Sequence, residues 1–333
     1  MNCYPYVSLI IRPENFVKRI EEIRKFHPCL KPITKIKQEL HIEHIGIVPN
    51  EWLTEQSFVL VDKKDISEII DVFQEDNIIN AKWSHDTYTS KEMFELKKET
   101  MQHSSLKDQR RQLAENCKPI SQFRSSLMIT MIKLYKPHYI LDFCSGWGSR
   151  LLAALAYNDH VHYYCGIDPN PDLFDGYKKM INILIPDKND RKKYNMICDC
   201  AESCDIPDSP HKSGLYDMVI TSPPYYDSEI YSDNPNQSII KYKNLEDWYT
   251  NFLLKASINA IRKLNENSHF IISINDTKTD SYVNRYIKDI SSIIELEYVG
   301  VFCVTNDERN LTGMQPIFVW KKLSKNIVMP SKK

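Results

Sequence analysis

The sequence predicts an α/β fold with a mostly parallel sheet and an antiparallel last strand. Three observations carry this. From about Ile140 onward, short β-rich apolar runs alternate with amphipathic stretches, the pattern of βαβ units with right-handed crossovers. Turn-forming residues follow directly on several of those runs, at Ser145-Gly146-Trp147-Gly148, Asp168-Pro169 and Ser222-Pro223-Pro224. The last two apolar runs, Tyr298–Val304 and Pro316–Trp320, are joined by a polar loop with no helix, which implies an antiparallel pair.

Taken in order, Tyr139–Phe143 reads as a first strand and Arg150–Leu155 as the helix that follows it. Tyr163–Asp168 is a second strand, Asn195–Cys198 a weak third and Tyr216–Thr221 a fourth. A helix with apolar positions at Trp248, Phe252, Leu253, Ala256 and Ile261 leads to a fifth strand, His269–Ile274. Ahead of this region, Ser57–Val61 followed by Asp65–Phe73 reads as strand then helix, a small N-terminal α/β region. Residues 83–118 are polar and charged, which suits an exposed helix or a linker. The boundary therefore falls near 100–120, dividing the chain into an accessory region 1–105, a main domain 106–325 and a basic tail 326–333.

Composition narrows the classes. With 42% hydrophobic and 26% charged residues the chain is an ordinary globular sequence, and no apolar run approaches the roughly 18 residues of a membrane span. Met1–Arg12 lacks the basic and small-residue pattern of a secretory signal, so an intracellular protein, cytoplasmic or nuclear, is expected. Nine cysteines, an odd and scattered number, suit reduced thiols. Cys198, Cys200 and Cys204 cluster, but no second Cys/His pair accompanies them, so no metal site is expected. A net charge of −1 advertises no global nucleic-acid field. Local basic residues remain at Lys107, Arg110, Arg111 and Lys118, and at Lys321, Lys322, Lys325, Lys332 and Lys333; composition alone favours reading them as a solvated face and a soluble tail.

Three strand ends carry residues suited to chemistry. In an open parallel sheet, ligands bind beyond the carboxyl ends of the strands. After the first strand comes Asp142-Phe143-Cys144-Ser145-Gly146-Trp147-Gly148, whose glycines let the backbone turn tightly against a ligand. The second strand ends in Asp168, placed to accept hydrogen bonds from two ribose hydroxyls; a capping Asp in an Asp-Pro turn is the competing reading. Together they favour a nucleoside-containing cofactor. Because Arg150 and Leu151 follow Gly148, the full G-x-G-x-x-G of dinucleotide binding is missing.

The decisive run is Thr221-Ser222-Pro223-Pro224-Tyr225-Tyr226, after the fourth strand. Its prolines stiffen the backbone and remove two N–H donors while leaving carbonyl acceptors. An exocyclic amine on an aromatic ring is a poor nucleophile because its lone pair is delocalised. The Ser222 side chain and the Pro223 carbonyl, accepting its two hydrogens, would draw the nitrogen toward sp³ geometry. Tyr225 would stack on the ring and align the nitrogen with a methyl sulfonium.

With these motifs the sequence resembles the amino-group nucleic-acid methyltransferases, whose signature is a D-x-F-x-G-x-G loop, a ribose-binding acid and a [DNS]-P-P-[YFW] loop. The resemblance covers roughly 120–320. It implies a Rossmann-like class I methyltransferase fold, a seven-stranded mostly parallel sheet with an antiparallel last strand, and S-adenosylmethionine as cofactor. It places Asp142, Cys144, Ser145, Gly146 and Gly148 at the cofactor and Asp168 at its ribose. Glu202 or Asp199 would reach the adenine, and Ser121, Phe123 and Arg124 would lie near the methionine moiety. The catalytic loop would be Ser222, Pro223, Pro224 and Tyr225.

The sequence departs from this family at Phe143, one place earlier than the usual aromatic, with Cys144 in its position. Trp147 and Arg150 are bulky for such a loop. The continuation Asp227–Tyr231 and Asn236-Gln237-Ser238 is similar to viral and phage members and is expected to close over substrate. Within the family, Ser at the first loop position looks like cytosine N4 enzymes and Asp like adenine N6 enzymes. A DNA substrate, cytosine ahead of adenine, is therefore expected, with the base flipped from a duplex. An RNA base methyltransferase, an inactive cofactor-binding subunit and a dinucleotide oxidoreductase are the alternatives. About 75 residues separate the glycine and proline loops, too few for a recognition domain, so target reading falls to the first 100 residues, the 226–245 loop or a partner.

Overall fold

A computed structural model of the chain describes residues 13–40, 48–61, 66–101, 122–305 and 314–324, with 105, 108–109, 112–113, 115, 117 and 120 between them. Lys107, Arg110, Arg111, Lys118, Ser121, Lys325, Lys332, Lys333 and the 326–333 tail lie outside the described residues. The strands are β1 (Cys29–Pro32), β2 (Phe58–Val61), β3 (Lys82–Trp83), β4 (Tyr139–Asp142), β5 (Tyr163–Asp168), β6 (Tyr194–Cys198), β7 (Tyr216–Thr221), β8 (Glu229–Ile230), β9 (Leu264–Ser273), β10 (Leu296–Thr305) and β11 (Gln315–Lys322).

Nine of them form one sheet, in the order β1-β2-β10-β11-β9-β7-β4-β5-β6. Strands β6, β5, β4, β7 and β9 are mutually parallel, and β11 runs antiparallel to both β9 and β10. The order reverses at β4, with β5 and β6 on one side and β7 and β9 on the other, so β4 and β7 flank a topological switch point. This is the expected Rossmann-like arrangement, a mostly parallel sheet with an antiparallel last strand.

The sheet has nine strands where seven were expected. Strand β2 pairs in parallel with β10, and β1 pairs antiparallel with β2, so the N-terminal region extends the main sheet. The docking has a local cause. The Phe58 ring stacks on Phe302 at 5.6 Å, and the Thr54 hydroxyl donates to the Val299 carbonyl at 2.8 Å. Gly300, at φ +144°, sits in a bulge of β10 where a Cβ would meet Thr54 Oγ1 at 2.5 Å. Sequence periodicity cannot show this pairing, because four-residue apolar runs carry no partner information.

Helices cover both faces. Trp248, Leu253, Ala256, Tyr286 and Ile290 pack on one side with Phe270 and Trp320. Met128, Leu152, Ala153, Tyr177 and Met180 pack on the other with Ile271 and Val319. The expected helix near 248–261 runs through Leu245–Asp247, Trp248–Leu254 and Lys255–Arg262, its middle part being a π-helix. The polar stretch after Trp83 contains a helix, Ser90–Met101, whose Phe94 and Met101 are buried. Among the described residues no helix is long and apolar enough to cross a membrane.

Gly300→Ala should destabilise the protein by about 2 kcal/mol or more, from positive-φ strain plus the displaced Thr54 hydrogen bond. Urea unfolding measures it; a loss under about 0.5 kcal/mol would show that the 54–57 turn does not depend on this approach.

Candidate active site

The turn after β4 is organised by Asp142, a fully buried carboxylate. Its Oδ2 accepts from Arg150 Nε and from the Tyr164 hydroxyl, each at 2.7 Å, and its Oδ1 from the Thr221 hydroxyl at 3.3 Å. Arg150, 2% exposed, also donates to the Cys144 carbonyl, and its guanidinium lies 4.7 Å from the Phe123 ring centroid. The bulky Arg150 thus turns inward and locks the loop. Trp147, also bulky for such a loop, packs edge-on against Tyr231 at 5.8 Å.

The two glycines differ. Gly146, at φ +55°, has open space where a Cβ would stand, and its amide donates to Asp168 Oδ2 at 2.8 Å. Gly148, at φ +91°, is the N-cap of helix Ser149–Ala156, and a Cβ there would press on the Tyr177 ring at 3.2 Å. Gly146 therefore leaves room for a ligand, whereas Gly148 serves packing. Asp168, at the end of β5, also accepts from the Asn170 amide at 3.0 Å, and burial pushes its carboxyl up to about 6. Each carboxylate oxygen retains a lone pair for a further donor.

A cavity of about 140 Å³ opens at the carboxyl ends of β4, β5 and β7. Of the expected cofactor residues, Phe123, Cys144, Ser145, Gly146, Asp168 and Glu202 line it. Asp142, Arg124, Gly148 and Asp199 do not. Asp142 is consumed by the donors around it, the Cys144 amide at 3.5 Å among them, Arg124 is the N-cap of helix Ser125–Tyr135, and Asp199 is exposed, with Oδ1 accepting from the Cys200 amide at 2.7 Å. Glu202 Oε1 accepts from Lys241 at 2.6 Å and from the Tyr242 hydroxyl at 2.8 Å. Burial holds the Cys144 thiol well above its ordinary range, so it stays protonated. Among the described residues no group of three His, Cys, Asp or Glu side chains is arranged to hold a metal.

Ser222, Pro224 and Tyr225 line the same cavity, while Pro223 is buried behind them. The loop is rigid for identifiable reasons. Tyr226 adopts φ +41°, a conformation that disfavours side chains by about 1 kcal/mol or more. It is held by its amide on the Pro224 carbonyl at 3.2 Å, by the Ser228 amide on the Tyr225 carbonyl at 2.9 Å, and by its ring against Trp248 at 5.4 Å. No described group donates to the Pro223 carbonyl.

Sequence reading missed Gln315. At the start of β11, its Nε2 donates to Ser273 Oγ at 2.8 Å and to the Tyr225 hydroxyl at 3.0 Å, fixing how that ring stands. A polar residue at the mouth of a central strand was the available signal.

The segment after the proline loop runs along the cavity from Glu229 to Ser238. It is anchored on the N-terminal region by the β3–β8 pairing, Trp83 opposite Glu229, and by the Ser84 amide on the Ser228 carbonyl at 3.0 Å. Its far end reaches the other strand ends: Tyr231 at Trp147, Asn234 at the Pro169 carbonyl (3.4 Å) and Lys241 at Glu202.

Asp142→Asn should lower stability by about 3 kcal/mol, because it leaves the Arg150 charge buried without its partner. Adding Arg150→Met should restore part of that loss in urea unfolding. A double variant as unstable as the sum of the singles would show that the two groups do not act as a pair.

No protein-family model matches the sequence, and no curated protein sequence is significantly similar to it. Solved structures with similar backbones include TrmN from Thermus thermophilus, at 11% identity and TM-score 0.42, over 60% of this chain and 49% of that one. An rRNA methylase from Streptococcus thermophilus is 10% identical at TM-score 0.39, over 62% of this chain and 99% of that one. The methyltransferase domain of the bacterial protein CtHen1-CN is 10% identical at TM-score 0.42, over 59% and 96%. The chain thus spans about half the length of TrmN, and at these scores the likeness concerns backbone shape alone.

Proposed function

We propose that the chain transfers a methyl group from S-adenosylmethionine to the exocyclic amine of a nucleobase in DNA, with cytosine N4 ahead of adenine N6. The observation that carries this reading is the convergence of the Ser222–Tyr225 loop and the Gly146/Asp168 turns on one cavity.

The residues present fit the cofactor. Gly146 leaves space where any other residue would place a Cβ, and Asp168 has lone pairs for two ribose hydroxyls. Phe123, Cys144 and Ser145 would border it, and Glu202 would face its base. When bound, S-adenosylmethionine supplies an electrophilic methyl group on a sulfonium.

The chain's own part is to present the amine. Ser222 accepts one of its hydrogens, which concentrates electron density on nitrogen, while Pro223, which does not line the cavity, stiffens the turn. Tyr225, its hydroxyl pinned by Gln315, offers a ring face to the base and limits its tilt. A base within a duplex has to be extruded, at a cost of a few kcal/mol.

The test is incubation of the purified protein with labelled S-adenosylmethionine and separate DNA and RNA pools, then identification of the modified nucleoside by mass spectrometry. N4-methyldeoxycytidine is expected. Label confined to RNA would replace the DNA reading, and no label in either pool would sink the proposal. Tyr225→Ala should lose turnover by 100-fold or more and keep cofactor affinity, whereas Asp168→Ala should lose cofactor affinity.

Ribose hydroxyls donate to the ionised form of Asp168, so binding has to expel a proton once pH drops below about 6. The Kd for S-adenosylhomocysteine by calorimetry should stay level from pH 8 to 7 and weaken progressively below 6. Asp168→Asn should flatten that dependence.

A further inference from the structure

We propose that Glu229 is the group that takes the proton from the target amine, a role that rests on the methyl-transfer reading above. Three carboxylates line the cavity: Asp168, Glu202 and Glu229. Asp168 holds the Gly146 and Asn170 amides at the end of β5, and Glu202 is ion-paired with Lys241. Glu229 alone of the three is tied to the proline loop. It stands four residues after Tyr225, and its Oε2 accepts from the Tyr231 hydroxyl at 2.6 Å.

A carboxylate 5% exposed is costly to keep charged without a cation. The titratable groups that face Glu229 are Tyr225, Tyr231 and Tyr282, and Trp83 stands opposite it across the β3–β8 pair; none is a cation. Burial pushes its carboxyl up from the ordinary glutamate range, which makes it a stronger proton acceptor than an exposed carboxylate.

A second observation marks the same wall as ligand-facing. Gln237, 8% exposed and lining the cavity, accepts the Tyr231 and Ser232 amides with Oε1 at 2.6 and 3.0 Å. Those two donors fix which amide atom is oxygen. Its Nε2 is then a buried donor with no partner among the described residues. An unfilled buried donor costs about 1–3 kcal/mol unless a ligand acceptor meets it.

The chemistry needs such a base. As the amine is methylated, its nitrogen lone pair becomes the new N–C bond, and the electrons of the broken S–C bond remain on sulfur. The nitrogen is then cationic and has to lose one N–H proton. Ser222 carries a neutral hydroxyl, a very weak base, whereas a Glu229 oxygen lone pair takes that proton to give the neutral acid, which later returns it to water.

Glu229→Gln keeps the size of the side chain and an acceptor for Tyr231, so it separates charge from packing. With the full-length protein and the DNA pool, kcat should fall at least 100-fold. KM, and the Kd for S-adenosylhomocysteine by calorimetry, should stay within about threefold. Wild-type kcat should decline toward acid pH, and the residual Glu229→Gln rate should not. Glu229→Asp should recover part of the rate. Tyr231→Phe, which removes only the hydroxyl, should cost less than tenfold. The proposal is overturned if Glu229→Gln retains kcat within threefold, if it loses S-adenosylhomocysteine binding, or if it keeps the wild-type pH profile. A wild-type protein that labels neither DNA nor RNA would instead remove the methyl-transfer reading itself.

Discussion

Asp142 and Arg150 form a buried ion pair at the point where the sheet reverses its order. The carboxylate at the end of β4 gathers a hydroxyl from β5, a hydroxyl from β7 and the guanidinium of the first helix turn. A buried pair of this kind contributes little net stability relative to an apolar replacement, but breaking it is costly. Its value here is geometric. Arg150 reaches over to the Cys144 carbonyl and under the Phe123 ring, so the glycine turn and the strand before the proline loop share one anchor. The cavity owes its shape to that anchor, although Asp142 itself does not border it.

From this anchor the site divides into two walls. One is built from the turns after β4 and β5, where backbone amides and Asp168 satisfy each other and leave oxygen lone pairs over. The other is the loop after β7, whose hydroxyl and aromatic groups are held by Gln315, Trp248 and the strained backbone of Tyr226. Strain of that kind persists only where neighbours over-determine it, and here two backbone hydrogen bonds within residues 224–228 and the Trp248 ring converge on Tyr226. The segment 229–242 joins the walls, touching Trp147, Pro169 and Glu202 at one end and the proline loop at the other.

The N-terminal region takes part in this construction. Through β2 it lengthens the sheet beyond β10, and through β3 it pairs with the segment that carries Glu229. Helix Ser67–Asn80 approaches the site as well, since Asp71 accepts from Gln122, which lines the cavity. These contacts attach the described part of the N-terminal region to the walls of the site, so changes at β2, β3 or Asp71 would be transmitted to the geometry of the loop.

The sequence by itself determined the central strands, the antiparallel finish and the three strand ends that converge. Those features follow from local rules: apolar periodicity, glycine where a turn needs positive φ, and proline where a loop must be stiff. It also singled out Phe123, Asp168, Ser222 and Tyr225, which meet in one cavity although up to 102 positions separate them. Only the tertiary structure decided the rest. The pairing of β2 with β10 depends on a close approach at Gly300, and the withdrawal of Asp142 from the cavity depends on where Arg150, Tyr164 and Thr221 point. Likewise Glu229, Gln237 and Gln315 are unremarkable in a sequence of average charge. Their meaning comes from burial and from which donors and acceptors are already used, quantities fixed by three-dimensional neighbours and by no local pattern.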